Sequence, residues 1–280
     1  MSFASRFSFP ALIGSFLLAS TFAFQQSVLA KNPQSVTSPR PSSFSSSSPS
    51  AASYAAGDQA FFQRQVPEQG RLALSLFREY HERNPKDPAA AWRRSMACYF
   101  NGLHLTAVEE EQKRLFTEGR DAGNEGVKLD PRCAPCHFWK AINMALYGQK
   151  VGVFKMYFTL GEIREHLQKT AELEPGFAGA GAYRLLGLIQ QKLPGILGGS
   201  DDEAKRFYKL AINTAPDEPL NYLFLVKLLR DQKDDLPGAL EVARKALVTL
   251  PKPSPEQLEA LSSLKELETF VTEHPGSGQN

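Results

Sequence analysis

Apolar positions from Asp58 onward recur at helical spacing, and the recurrence is itself repeated. A residue, usually small or medium, is followed seven positions later by another, and five after that by proline. The series runs Ala73, Tyr80, Pro85; Gly119, Gly126, Pro131; Ile163, Thr170, Pro175; Ala204, Ala211, Pro216; Ala239, Ala246, Pro251. Seven residues are two helical turns, so both positions share one face, where small side chains let a neighbouring helix approach closely. The proline marks the turn, because it cannot continue a helix. Proline spacings of 46, 44, 41 and 35 residues place only the last unit near the tetratricopeptide period of 34, so the earlier units carry insertions. Long alternating runs flanked by hairpin turns are absent. The pattern predicts an all-α, tetratricopeptide-like right-handed solenoid of about five helix pairs over residues 58–275.

Caps sharpen the boundaries. Ser200 and Glu203 have capping-box spacing, and Ser254, Pro255 and Gln257 predict the start of a last helix. That helix places Leu258, Leu261, Leu264, Leu267 and Val271 on one stripe and Glu259, Ser262, Lys265, Glu266 and Glu273 opposite, as a terminal capping helix requires.

The first residues read differently. Met1–Arg6 is a short basic region, Phe7–Phe24 an interrupted apolar stretch, and Ser27-Val28-Leu29-Ala30 a small-residue cleavage site. That order predicts a secretory signal peptide over 1–30 and export across the inner membrane to the periplasm or cell envelope, the alternative being a retained anchor. No cysteine precedes Cys98, so no lipid anchor is expected at the junction. Residues 31–57 hold ten serines and four prolines and read as a disordered linker; residues 276–280 read as a loose tail.

Charge and composition narrow the function classes. The chain is 280 residues with 32 bases, 30 acids and a net charge of +2. Residues 1–57 contain no acid, so the body is close to neutral and no nucleic-acid binding is expected. Nucleophile elbow, H-E-x-x-H, phosphate loop and dinucleotide fingerprint are all missing, and His81, His104, His137, His166 and His274 are dispersed. We therefore expect a binding protein and not an enzyme, without metal or cofactor. A general cell-envelope scaffold is the least specific form of that expectation.

Residues Leu129–Leu229 carry the phrases His137-Phe138-Trp139-Lys140-Ala141-Ile142-Asn143 and Phe177-Ala178-Gly179-Ala180-Gly181-Ala182-Tyr183-Arg184-Leu185-Leu186-Gly187. Leu193-Pro194-Gly195 and Gly198-Gly199-Ser200 follow, then Ala204 to Pro216 and Asn221. On these residues the chain resembles the T-components of tripartite ATP-independent periplasmic (TRAP) transporters. A weaker likeness to eukaryotic microtubule-associated relatives of the same repeat group lies around His137–Ala141. The transporter resemblance implies a periplasmic solute-binding protein as partner, possible homo-oligomers, and an apolar small ligand in a lined channel.

Candidate binding residues are Trp139, Asn143, Phe154, Phe158, Tyr183, Arg184 and Asn221. Phe154 and Phe158 belong to the apolar run between Gly148 and Gly161, which reads either as a pocket or self-association surface or as the core of its own unit. Asn143, Asn221 and Arg184 suit a polar head group or carboxylate, or else satisfy turn carbonyls. Cys133-Ala134-Pro135-Cys136-His137 matches the haem c attachment motif, with His137 as axial ligand. The alternatives are a thiol redox pair at a helix start and, as the main reading, a structural disulfide that leaves Cys98 a buried small hydrophobe.

Overall fold

The computed structural model describes residues 49–231, 235–254 and 257–275. The signal-peptide region, the linker as far as residue 48 and the tail 276–280 lie outside the described residues. Ser53–Asn280 forms one compact unit. Among the described residues eleven α-helices follow in order: α1 (Pro49–Phe62), α2 (Pro67–Arg83), α3 (Pro88–His104), α4 (Glu109–Leu129), α5 (Ala134–Val151) and α6 (Val153–Leu173). Then come α7 (Phe177–Lys192), a 3₁₀ turn (Gly195–Leu197), α8 (Asp201–Thr214), α9 (Pro219–Asp231), α10 (Leu236–Thr249) and α11 (Leu258–Glu273). There is no strand among the described residues, and no helix of theirs is long and apolar enough to cross a membrane.

The prolines act as expected. α2, α4, α6, α8 and α10 end at Arg83, Leu129, Leu173, Thr214 and Thr249, in each case two residues before the repeat proline. The paired small positions of these helices are buried, with Ala73, Ala204, Ala211, Ala239 and Ala246 fully so. At Gly119 and Gly126 the approach is closer still. A β-carbon there would lie 2.4 Å from Asn143 Oδ1 and 2.6 Å from Cys136 Sγ.

Contacts between non-consecutive helices define two layers. α3, α5, α7, α9 and α11 each touch the next of their set, whereas α4, α6, α8 and α10 pack on their chain neighbours. In a coiled stack, helices on the inner radius lie closer together, so the odd-numbered set is the inner layer. The core runs between the layers in three clusters: α1–α4 around Phe77, α5–α7 around Ile163 and Leu167, and α8–α11 around Tyr208, Leu228 and Leu267.

Two boundaries differ from the sequence reading. α1 takes in Pro49–Gly57 of the expected linker, because Tyr54 donates to the Asp87 carboxylate and Gly57 abuts the Phe77 ring. α11 opens at Leu258, although the Ser254 amide does donate to Gln257 Oε1 at 2.8 Å as in half of a capping box. Its buried stripe is also rotated: Ala260, Ser263, Leu267 and Phe270 face the core, while Leu261 is exposed. The Ser200 cap is observed as expected, accepting from the Glu203 amide at 3.2 Å.

Candidate functional site: an aromatic trough on the inner layer

Inner-layer helices alternate buried core positions with partly accessible side chains. Tyr99 of α3 and Trp139 of α5 are two of them, with ring centroids 5.2 Å apart. The aromatic run extends in both directions. Trp139 meets Phe138 edge-on, and Phe138 meets Phe177 at the start of α7. On the other side Tyr99 meets His104, His104 stacks on Phe100, and Phe100 meets Phe61 of α1. Burial pushes the Tyr99 hydroxyl well above its ordinary value, helped by the Glu259 carboxylate and opposed by Arg64 and Arg184. The partly accessible surface that Tyr99, Trp139 and His104 share is termed the trough. Trp139 Nε1 is buried there with no hydrogen-bond partner among the described residues.

The mouth is bounded by an ion pair between chain ends. Arg64, just past α1, lies over the Phe61 and Phe100 rings at 4.9 and 5.6 Å. Its Nη2 donates to both oxygens of Glu259, in the first turn of α11, at 2.9 and 3.2 Å.

The other polar candidates serve the fold. Asn143 Nδ2 donates to the carbonyls of Ser95 (3.0 Å) and Trp139 (2.9 Å), and Ser95 Oγ donates to the Gly119 carbonyl. The Oδ1 of Asn143 accepts nothing among the described residues, but it is turned onto Gly119. Asn221 Nδ2 donates to the Ala211 and Ala215 carbonyls, and its Oδ1 accepts from Arg184. Arg184 also donates to the carbonyls of Gly179 and Ala178, within a turn where Ala178, Gly179 and Ala180 all have positive φ. Asn143, Arg184 and Asn221 are therefore positioning residues that tie helix to helix. Tyr183 is half-buried beside Arg184. Phe158 is 81% exposed and Tyr157 50%, so this face is not the core of its unit; the Phe154 side chain lies outside the described residues.

Cys133 and Cys136 form a disulfide, with Cα atoms 5.3 Å apart, and Cys133 Sγ caps α5 at the Cys136 amide. Cys98 is free and buried. Covalent haem does not fit these residues. Both sulfurs are spent on each other, Cys136 is wedged against Gly126, and both His137 nitrogens are engaged. His137 Nε2 donates to the Pro131 carbonyl at 3.0 Å, so its Nδ1 accepts from His166 Nδ1 at 2.7 Å. Burial lowers both imidazoles. Lys140 closes the cluster, bonding Asn124 and pairing with Glu162 at 2.9 Å. Among the described residues no group of three His, Cys, Asp or Glu side chains is placed to hold a metal.

Tyr99, His104, Arg64 and Glu259 escaped the sequence reading. Only the C-terminal part of α3, with two aromatics and a histidine in six residues, carried a local hint.

Residues 54–190 match the family model described as regulator of microtubule dynamics protein 1-3. Regulator of microtubule dynamics protein 1 of Caenorhabditis elegans is 26% identical over 230 residues, spanning 77% of this chain and 97% of that protein. A thermophilic TPR protein of Thermus thermophilus superposes with a TM-score of 0.53 at 21% identity, covering 75% of this chain and 100% of its own. The fold is thus tetratricopeptide-like. MamA superposes with a TM-score of 0.45 at 13% identity, over 82% of this chain and 97% of its own. The expected export to a periplasm or cell envelope is corrected by these matches, since sequence similarity runs to an animal protein and to a family of microtubule regulators. They lend no support to the transporter likeness or to a solute-binding partner.

Proposed function

We propose that this protein is a non-enzymatic helical scaffold that binds a segment of a partner protein in the trough between Tyr99 and Trp139. We further infer that the partner belongs to the microtubule apparatus. The observation that carries the first part is the aromatic run that joins α1, α3, α5 and α7 and leaves Tyr99 and Trp139 partly accessible side by side. Stacked helix pairs supply the extended inner surface such docking needs, and aromatic anchors supply most interface energy. The second part is supported by the similarity to regulator of microtubule dynamics protein 1 of Caenorhabditis elegans. The work is done by binding alone, with no cofactor.

Co-sedimentation with polymerised tubulin, in the presence and absence of a cell extract, tests both parts. Wild-type protein should pellet with microtubules directly or through one extract component. Tyr99→Ala with Trp139→Ala should weaken that association at least about tenfold while circular dichroism shows an unchanged helical content. No association, or association indifferent to both substitutions, defeats the proposal.

A further inference from the structure

Arg64 has the attributes of a carboxylate receptor that is already occupied. Its guanidinium is held over two phenyl rings and anchored to the Phe61 carbonyl at 3.4 Å, so the fork is pre-organised and its side chain is only 15% exposed. The occupant, Glu259, comes from the far end of the chain and is 48% exposed. Glu259 also sits in the first turn of α11, where the helix N-terminus stabilises a carboxylate without any partner. Releasing it therefore costs little, and Arg64 loses nothing but that contact. The pair borders the trough, because Arg64 lies over the Phe100 ring, which stacks on His104 beside Tyr99.

We propose that Arg64 is the docking point for an acidic side chain of the partner segment, and that Glu259 fills it in cis as an autoinhibitory stand-in. A glutamate or aspartate of the incoming segment takes the fork, α11 releases its hold at that corner, and the neighbouring aromatic floor becomes reachable. With its carboxylate half-exposed, the pair is open to exchange with an incoming acid and is screened by salt. The inference rests on the trough reading, but it is testable without tubulin.

The probe is a fluorescein-labelled peptide of ten glutamates, followed by anisotropy, with a ten-glutamine peptide as control. Glu259→Gln should bind the acidic peptide about two- to fivefold tighter than wild type, the factor expected when a weak competing pair is removed. Arg64→Gln in the Glu259→Gln background should abolish that gain. In a Trp92→Phe background, where Trp139 is the remaining indole, Glu259→Gln should also raise quenching of Trp139 by acrylamide. An unchanged affinity in Glu259→Gln, or a gain that survives Arg64→Gln, overturns the proposal. If microtubule association still depends on Tyr99 and Trp139 in that event, the trough reading stands and only the clasp falls.

Discussion

Asn221 Oδ1 accepts the Nη1 hydrogen of Arg184 at 2.5 Å, across 37 residues, while its Nδ2 donates to the Ala211 and Ala215 carbonyls at 3.1 and 3.0 Å. One amide thus joins the end of α8 to the start of α7. The guanidinium it orients holds the left-handed turn, where two alanines occupy a region that disfavours a β-carbon by roughly 1–2 kcal/mol per residue. Asn221→Ala should lower the unfolding free energy by about 1.5–3 kcal/mol, the range for a lost hydrogen bond to a buried charged group. Urea titration followed by circular dichroism measures it; a change under about 0.5 kcal/mol, the scatter of ordinary surface substitutions, would refute the role.

Gly119 faces the same kind of constraint from the opposite side. A β-carbon there meets the Asn143 amide at 2.4–2.6 Å, and the two N–H groups of that amide are held by Ser95 and by the Trp139 carbonyl. Gly119→Ala should therefore cost about 1–3 kcal/mol by overpacking, even though alanine is the better helix former. Gly161→Ala is the control. Nothing lies within 4 Å of its added methyl, so thermal unfolding should show equal or greater stability than wild type.

The disulfide closes a short loop, for which the chain-entropy relation gives about 2 kcal/mol. Differential scanning calorimetry with and without dithiothreitol should show a drop of about 4–8 °C in a body of this size. Cys133→Ser with Cys136→Ser should melt near the reduced wild type and no longer respond to reductant.

Acid should unfold the protein in two stages. Burial lowers the pKa of His81, His137 and His166 from the ordinary value near 6.5, so the unfolded chain binds protons first. Stability therefore falls as pH drops below about 6.5, towards the folded-state values. Glu118 governs the second stage. Burial alone would raise its carboxyl, but hydrogen bonds from Arg78 and Arg94 bring it down to about 2. Its contribution is complete above the ordinary value of 4.5 and is lost as pH falls from there towards about 2. Chemical denaturation at stepped pH should show both declines, and Glu118→Gln should flatten only the lower one.

The helices and their ends were legible because their causes are local. Five prolines stop five helices at the same offset, and the buried small residues repeat on one face whatever lies around them. The candidate asparagines, Arg184 and the cysteine pair were visible as residues, but the sequence left open whether they meet a ligand or a carbonyl. That depends on which backbone groups the neighbouring helix turns towards them. Trp139 was found from its phrase, yet its meaning comes from Tyr99, forty residues earlier on the next inner helix. The Arg64–Glu259 pair had no signal at all, since two ordinary charges 195 residues apart become partners only once the stack curves enough to bring its first and last helices together. Sequence alone determined where this chain is helical and which faces it buries, because backbone sterics and apolar spacing act within a few turns. The trough, its unpartnered indole and the clasp at its mouth were decided by tertiary structure, because the curvature that creates them is the sum of every packing angle along the stack.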